Sequence, residues 1–200
     1  MTKDSEYVGI ALDARAIKVL AHPLRSRLLS RLRTVGSATA TELAAELSTN
    51  TGATSYHLRK LESVGLVTDT GEGEGKRRLW RASTQYHSWP NAGFRDDEDT
   101  ATALGWLQRD YVRQFAEKAE RWLDAAPSWP AEWVDALGLN DTFVVVTPEQ
   151  MASLQQRLGE LLTEFRTVGE GDDRARRVSV YCYARPSDHT PPEDSDGETA

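Results

Sequence analysis

The chain has 200 residues, 24 of them Lys or Arg and 31 Asp or Glu, for a formal net charge of −7; 39% are hydrophobic, enough to bury a core in one domain or two small ones. A mean hydropathy of −0.55 and the lack of any apolar run near ~18 residues exclude a transmembrane helix. A single cysteine, Cys182, rules out an intramolecular disulfide and a multi-thiolate metal site.

The N-terminal residues MTKDSEYVGI lack the basic-then-apolar layout of a signal peptide, so the expected location is the cytoplasm. From Asp13, a residue type suited to an N-cap, Ala16, Ile17, Leu20 and Ala21 recur at helical spacing as far as His22-Pro23. Proline suits the first position of the next helix, which sets Leu24, Leu28, Leu29 and Leu32 on one face and stops near Gly36. Thr39-Ala40-Thr41-Glu42 reads as a capping box opening a short helix to Leu47. After Ser48-Thr49-Asn50 a further helix, about Thr51 to Val64, aligns Thr54, Leu58 and Leu61. Two short helices joined by a few polar residues form a helix-turn-helix.

Gly65 stops that helix, and two short strand patterns, Leu66 to Thr70 and Lys76 to Ala82, bracket Gly71, Gly73 and Gly75. The pattern predicts a hairpin, and its position directly after a helix-turn-helix makes it a wing. Residues 86–99 read as a linker. A long helix from about Thr100 to Ala126 follows, with Leu104, Leu107, Tyr111, Phe115, Ala119 and Trp122 on a stripe, broken by Pro127 and Pro130. The apolar run Phe143 to Val146, a helix opened by Thr147-Pro148-Glu149-Gln150, and the alternating run Val178 to Ala184 predict a strand-helix-strand unit. Residues 186–200, rich in acids and proline, read as a disordered tail. The expected class is α+β: a winged helix-turn-helix over 13–85, the linker 86–99, a dimerisation or effector domain over 100–185, and the tail.

Charge supports a functional division. Residues 14–82 hold twelve basic side chains against six acidic ones, a surplus of six, so the remainder carries −13. A basic module in an acidic chain suggests a local polyanion surface. With Leu58 and Leu61 inward, Gly52, Tyr56, Arg59 and Ser63 face outward, flanked by Ser55 and Lys60. The expected DNA-binding set is Thr51, Ser55 and Tyr56 near base edges, Arg59 on a guanine or a phosphate, and Lys60 on a phosphate, with Lys76, Arg77 and Arg78 at the wing base gripping the backbone or the neighbouring minor groove. Glu72 and Glu74 would keep the wing tip off DNA. His22, His57 and Trp80 read as packing or backbone-bonded residues.

The segments Leu20 to Arg25, Thr41 to Ala44, Ala53 to Leu61, Gly65 to Val67 and Arg77 to Arg81 resemble those of ArsR-like winged helix-turn-helix transcriptional regulators, specifically the cysteine-poor branch common in actinobacteria. The resemblance covers roughly residues 13–85. It implies a homodimer with recognition helices in successive major grooves of double-stranded DNA, and the expected function is that of a repressor reading a palindromic or near-palindromic operator. Thr41 to Leu47 lacks cysteines, so thiolate metal sensing is not implied. Five tryptophans, Trp89, Trp106, Trp122, Trp129 and Trp133, either line a pocket for an apolar small-molecule effector or fill the core and a dimer seam. No nucleophile elbow, phosphate-binding glycine loop or HExxH motif occurs, so neither an enzyme nor a cofactor is expected, and no membrane partner. The alternative reading is a winged-helix protein-interaction module without specific DNA binding, favoured by Glu72, Glu74 and the acidic remainder.

Overall fold

A computed structural model describes residues 9–73, 75, 77–188 and 190. Lys76 and Glu74 of the wing, His189 and residues 191–200 of the acidic tail lie outside them. The chain divides into two compact units, residues 1–142 and 143–200.

The first unit is built from β1 (Gly9–Ala11), α1 (Ala14–Leu20), α2 (Pro23–Val35), β2 (Ser37–Thr39), α3 (Ala40–Glu46), α4 (Thr51–Glu62), β3 (Val67–Asp69), β4 (Leu79–Ala82), β5 (Tyr86–Ser88), α5 (Glu98–Ala125), a 3₁₀ turn (Ala126–Ser128) and α6 (Ala131–Ala136). Each early helix starts where a side chain satisfies a free N–H. Asp13 Oδ1 accepts from Ala16 N (2.7 Å), His22 Nδ1 from Leu24 N (3.1 Å) and Asn50 Oδ1 from Ala53 N (2.8 Å). The expected capping box is present: Thr39 Oγ1 accepts from Glu42 N at 3.3 Å, and Glu42 Oε2 accepts from Thr39 N at 2.7 Å. Behind α4, Gly65 adopts φ +73°, a backbone that L side chains strain to reach.

The wing hairpin β3–β4 is joined by β2, giving an antiparallel sheet of order β2-β4-β3. In its loop a Cβ on Gly73 would fall 1.8 Å from the Arg77 carbonyl oxygen, so only glycine fits there. Trp80 on β4 turns inward and is 3% exposed, joining the core with Ile17, Leu20, Leu28, Leu32, Leu43, Leu58, Leu61 and Leu66.

That core does not stop at residue 85. Residues 86–99 are not a linker: Tyr86–Ser88 form β5, which pairs in parallel with β1, and Trp89 and Phe94 pack against the core. The first half of α5 belongs to the same core, with Leu107 fully buried and Leu104 5% exposed. The first half of the stripe expected to serve a separate domain, Leu104, Leu107 and Tyr111, is therefore already used within the first unit.

Polar groups tie α5 down as well. Ser26 Oγ on α2 donates to Asp110 Oδ2 (2.6 Å), and Gln114 Nε2 donates to the same oxygen (2.7 Å), all three residues being buried. Arg33 donates from Nε to the Thr84 carbonyl (3.0 Å), from Nη2 to Thr84 Oγ1 (3.2 Å), and lies with Nη1 2.8 Å from His87 Nδ1. Because guanidinium can only donate, Nδ1 is the acceptor, and the neutral ring carries its proton on Nε2, 2.6 Å from the Tyr111 hydroxyl. Burial, helped by the Arg33 charge, pushes His87 down to about 3, and burial raises the Tyr111 phenol.

In the second unit the expected helix is present as α7 (Pro148–Glu164), opened by a capping box between Thr147 and Gln150. The two flanking strands are not formed: neither Phe143 to Val146 nor Val178 to Ala184 joins a sheet in the described residues. An alternating pattern makes a strand only when a second segment takes its backbone N–H and C=O groups, and Val145 and Tyr183 stand fully or largely exposed. Leu161 and Leu162 on α7 and Phe165 at its C-cap are also exposed. No helix of the described residues is long and apolar enough to cross a membrane.

Candidate nucleic-acid interface

Helix α4 is anchored by Thr54, Leu58 and Leu61, all fully buried, and this fixes which side is presented outward. Thr51, Gly52, Tyr56, Arg59, Lys60 and Ser63 are exposed and Ser55 is half-buried, so the structure brings every residue expected from this helix onto or beside one outward face. Its first turn contains no acid, and only Glu62 at the far end is negative. The N-terminal end of the helix dipole therefore faces outward without a competing carboxylate.

Tyr56 is 49% exposed and is held in place from two sides. Lys60 Nζ lies 5.6 Å from its ring centroid, and the His57 ring meets it edge-on at 5.2 Å. His57 in turn lies 4.4 Å, centroid to centroid, from His22, the residue that caps α2. Burial lowers the pKa of both imidazoles, His57 being further lowered by the charges of His22 and Arg25, and His22 by that of Arg25. Both are packing and capping groups, as the sequence suggests.

At the wing base the picture is less uniform. Arg77 is exposed, but Arg78 is 3.4 Å from Asp69 across the hairpin and stacks over Trp80 at 5.8 Å. Part of the Arg78 charge is thus offset within the wing, a contact that β3–β4 register creates and that spacing alone does not reveal. Glu72 is exposed near the tip.

Three cations that belong to the basic surplus of residues 14–82, without a place of their own in the sequence pattern, also stand here. Arg15 and Lys18 of α1 and Arg25 of α2 gather beside Tyr56 and Lys60 around one open hollow. The only signal for them was the surplus of basic residues, which carries no direction.

The tryptophans do not form one pocket. Trp89 stacks near His87 and Tyr111, at 5.6 and 5.8 Å, and Trp106 packs against the core beneath Arg113. Trp122, Trp129 and Trp133 form a separate edge-to-face series, at 5.3 and 6.1 Å. Sixteen residues of continuous helix separate Trp106 from Trp122, a distance of about 24 Å, so the five rings cannot line a common cavity in one chain.

Comparison with known proteins agrees with this geometry. The chain matches none of the curated proteins compared with it. Residues 20–70, from the end of α1 through the helix-turn-helix to the first wing strand, match the family model described as a helix-turn-helix domain. They form a DNA-binding helix-turn-helix domain of the kind that transcription regulators carry.

Proposed function

We propose that the protein is an ArsR-like transcriptional repressor that acts as a homodimer on a palindromic or near-palindromic operator, working by binding rather than catalysis. The observation that carries the reading is the outward face of α4, where Thr51, Tyr56, Arg59 and Lys60 are exposed together beside an acid-free helix N-terminus. In this role Thr51, Ser55 and Tyr56 meet base edges, while Arg59, Lys60, Arg77 and Arg78 reach phosphates, Arg59 also being able to fork onto a guanine. Dimerisation is supported by apolar surface that one chain leaves uncovered: Val112 and Leu123 on α5, Leu161 and Leu162 on α7, and Phe165 at its C-cap. The site of action on this reading is the cytoplasm, where the chromosome of a bacterium lies.

The test is selection of bound duplexes from a pool of genomic fragments, followed by affinity measurements on a selected and a random duplex. Tyr56→Ala is expected to weaken the selected duplex by roughly five- to 150-fold, in line with ~1–3 kcal/mol for a good base contact, and the random duplex far less. Lys60→Ala is expected to weaken both alike. Equal losses on both duplexes for Tyr56→Ala would remove its base-reading role. Failure to select any duplex would favour a protein-interaction module instead. Sedimentation equilibrium decides the dimer, and half-sites in the selected duplexes should repeat at about 34 Å or a multiple.

A further inference from the structure

The hollow beside α4 has a volume of about 580 Å³ and is lined by Arg15 and Lys18 of α1, Arg25 of α2, and Tyr56 and Lys60 of α4, over a floor of Ala14 and Val19. Four cations from three helices converge there, and no acidic side chain is among the lining residues. Convergence of like charges is unfavourable unless something negative is supplied. Only Lys18 has a carboxylate near it, Asp97 at 3.3 Å, and both of those side chains are more than 40% exposed, so the pair is weakly held. Among the described residues no ion-pair partner engages Arg15, Arg25 or Lys60.

Arg25 adds a more specific signal. Its guanidinium is half-buried, and its Nε is buried without a hydrogen-bond partner. A buried donor left empty is unfavourable, and rotation of the guanidinium toward an acceptor seated in the hollow would relieve it. A phosphate oxygen suits a guanidinium in geometry and charge. The hollow is open rather than enclosed, which suits a chain running past better than a small ion trapped inside. It also shares Tyr56 and Lys60 with the outward face of the recognition helix, so whatever occupies it lies beside whatever α4 reads.

We propose that the hollow ringed by Arg15, Lys18, Arg25 and Lys60 is a phosphate seat that takes the phosphodiester backbone of duplex DNA alongside the groove entered by α4. The footprint thereby extends from the helix-turn-helix onto α1 and α2. The seat rests on the DNA-binding reading above, and is separable from it by experiment.

The measurement is the salt dependence of affinity of the full-length chain for a selected and a random duplex. Each phosphate contact removed is expected to reduce the slope of log affinity against log salt by about 0.9. Arg15→Ala and Arg25→Gln each remove one contact per protomer, so each should reduce the slope of the homodimer by about 1.8, equally on both duplexes, and together by about 3.6. Arg27→Ala, which frees Glu117 on α5 instead, should leave the slope at its wild-type value. Arg15 is exposed, so its replacement does not threaten folding and carries the test if Arg25→Gln fails to fold. A wild-type slope in folded Arg15→Ala and Lys18→Ala variants, with the wild type binding DNA, would overturn the seat and leave the DNA-binding reading standing. A wild type that binds no duplex would overturn both. Titration with inorganic pyrophosphate at constant ionic strength identifies the source of the phosphate: displacement of duplex only at millimolar levels is expected. Displacement at micromolar levels that disappears in Arg15→Ala would reassign the hollow to a free phosphorylated ligand.

Discussion

Acidification from pH 7 to pH 4 is expected to destabilise the first unit by about 3 kcal/mol through His87 alone. The imidazole accepts from Arg33 through Nδ1, and a proton there would face a guanidinium 2.8 Å away inside partly buried surroundings. Folding therefore holds the ring neutral, with its pKa lowered from 6.5 to about 3. Between those values the unfolded chain binds a proton that the folded chain refuses, so stability falls as pH falls. The contribution is complete above pH 6.5 and is lost through this window on the acid side. His22 and His57 shift in the same direction and add to the trend. Denaturant unfolding at a series of pH values checks the sign. His87→Gln keeps an acceptor for Arg33 and a donor for Tyr111 without titrating, and should flatten the dependence by most of that amount. An unchanged pH dependence in His87→Gln would mean that other groups govern acid sensitivity.

A chain ending at Gln85 is expected to lose cooperative folding, although it contains the whole helix-turn-helix and wing. It lacks β5, the partner of β1, and it lacks Leu104 and Leu107, which close the core over α1. Each large side chain removed from the core takes away roughly 1.5–3 kcal/mol of burial, and its partners Ile17 and Leu20, fully buried in the intact chain, become exposed as well. The buried network of Ser26, Asp110 and Gln114 disappears, and Arg33 loses His87. Together these losses rival the ~5–15 kcal/mol that stabilises a domain of this kind. A chain ending at Thr142, which keeps β5 and all of α5, should retain cooperative unfolding. Sigmoidal unfolding of the shorter chain, with a midpoint within a few degrees of the longer one, would show instead that residues 13–85 are self-sufficient.

The helix-turn-helix was legible because its determinants are local. The caps at Asp13 and Thr39 bridge three residues, and the stripe of Thr54, Leu58 and Leu61 follows from the pitch of one helix. Once that stripe points inward, the outward placement of Tyr56, Arg59 and Lys60 is settled by geometry. The wing was legible for the same reason, since strand, glycine-rich turn and strand are neighbours in the chain.

Tertiary structure decided everything that depends on distant partners. Lys18 meets Asp97 across 79 positions, Arg33 meets His87 across 54, and Ser26 meets Asp110 across 84. Residues 86–88 read as a linker because three residues carry no usable periodicity, and only the edge offered by β1 makes them a strand. Val178 to Ala184 shows the converse: alternation is clear, yet among the described residues the segment joins no sheet. Helix α5 displays an apolar stripe whichever surface it covers, and the pattern cannot say whether that surface belongs to the same unit or to another copy. Sequence by itself thus determined which helix faces outward and with what chemistry, because both follow from spacings of two to four residues. The convergence of Arg15, Lys18 and Arg25 beside that helix, and the closing of the core by α5, required the packed chain, since contact between remote segments is set by the whole fold and leaves no local trace.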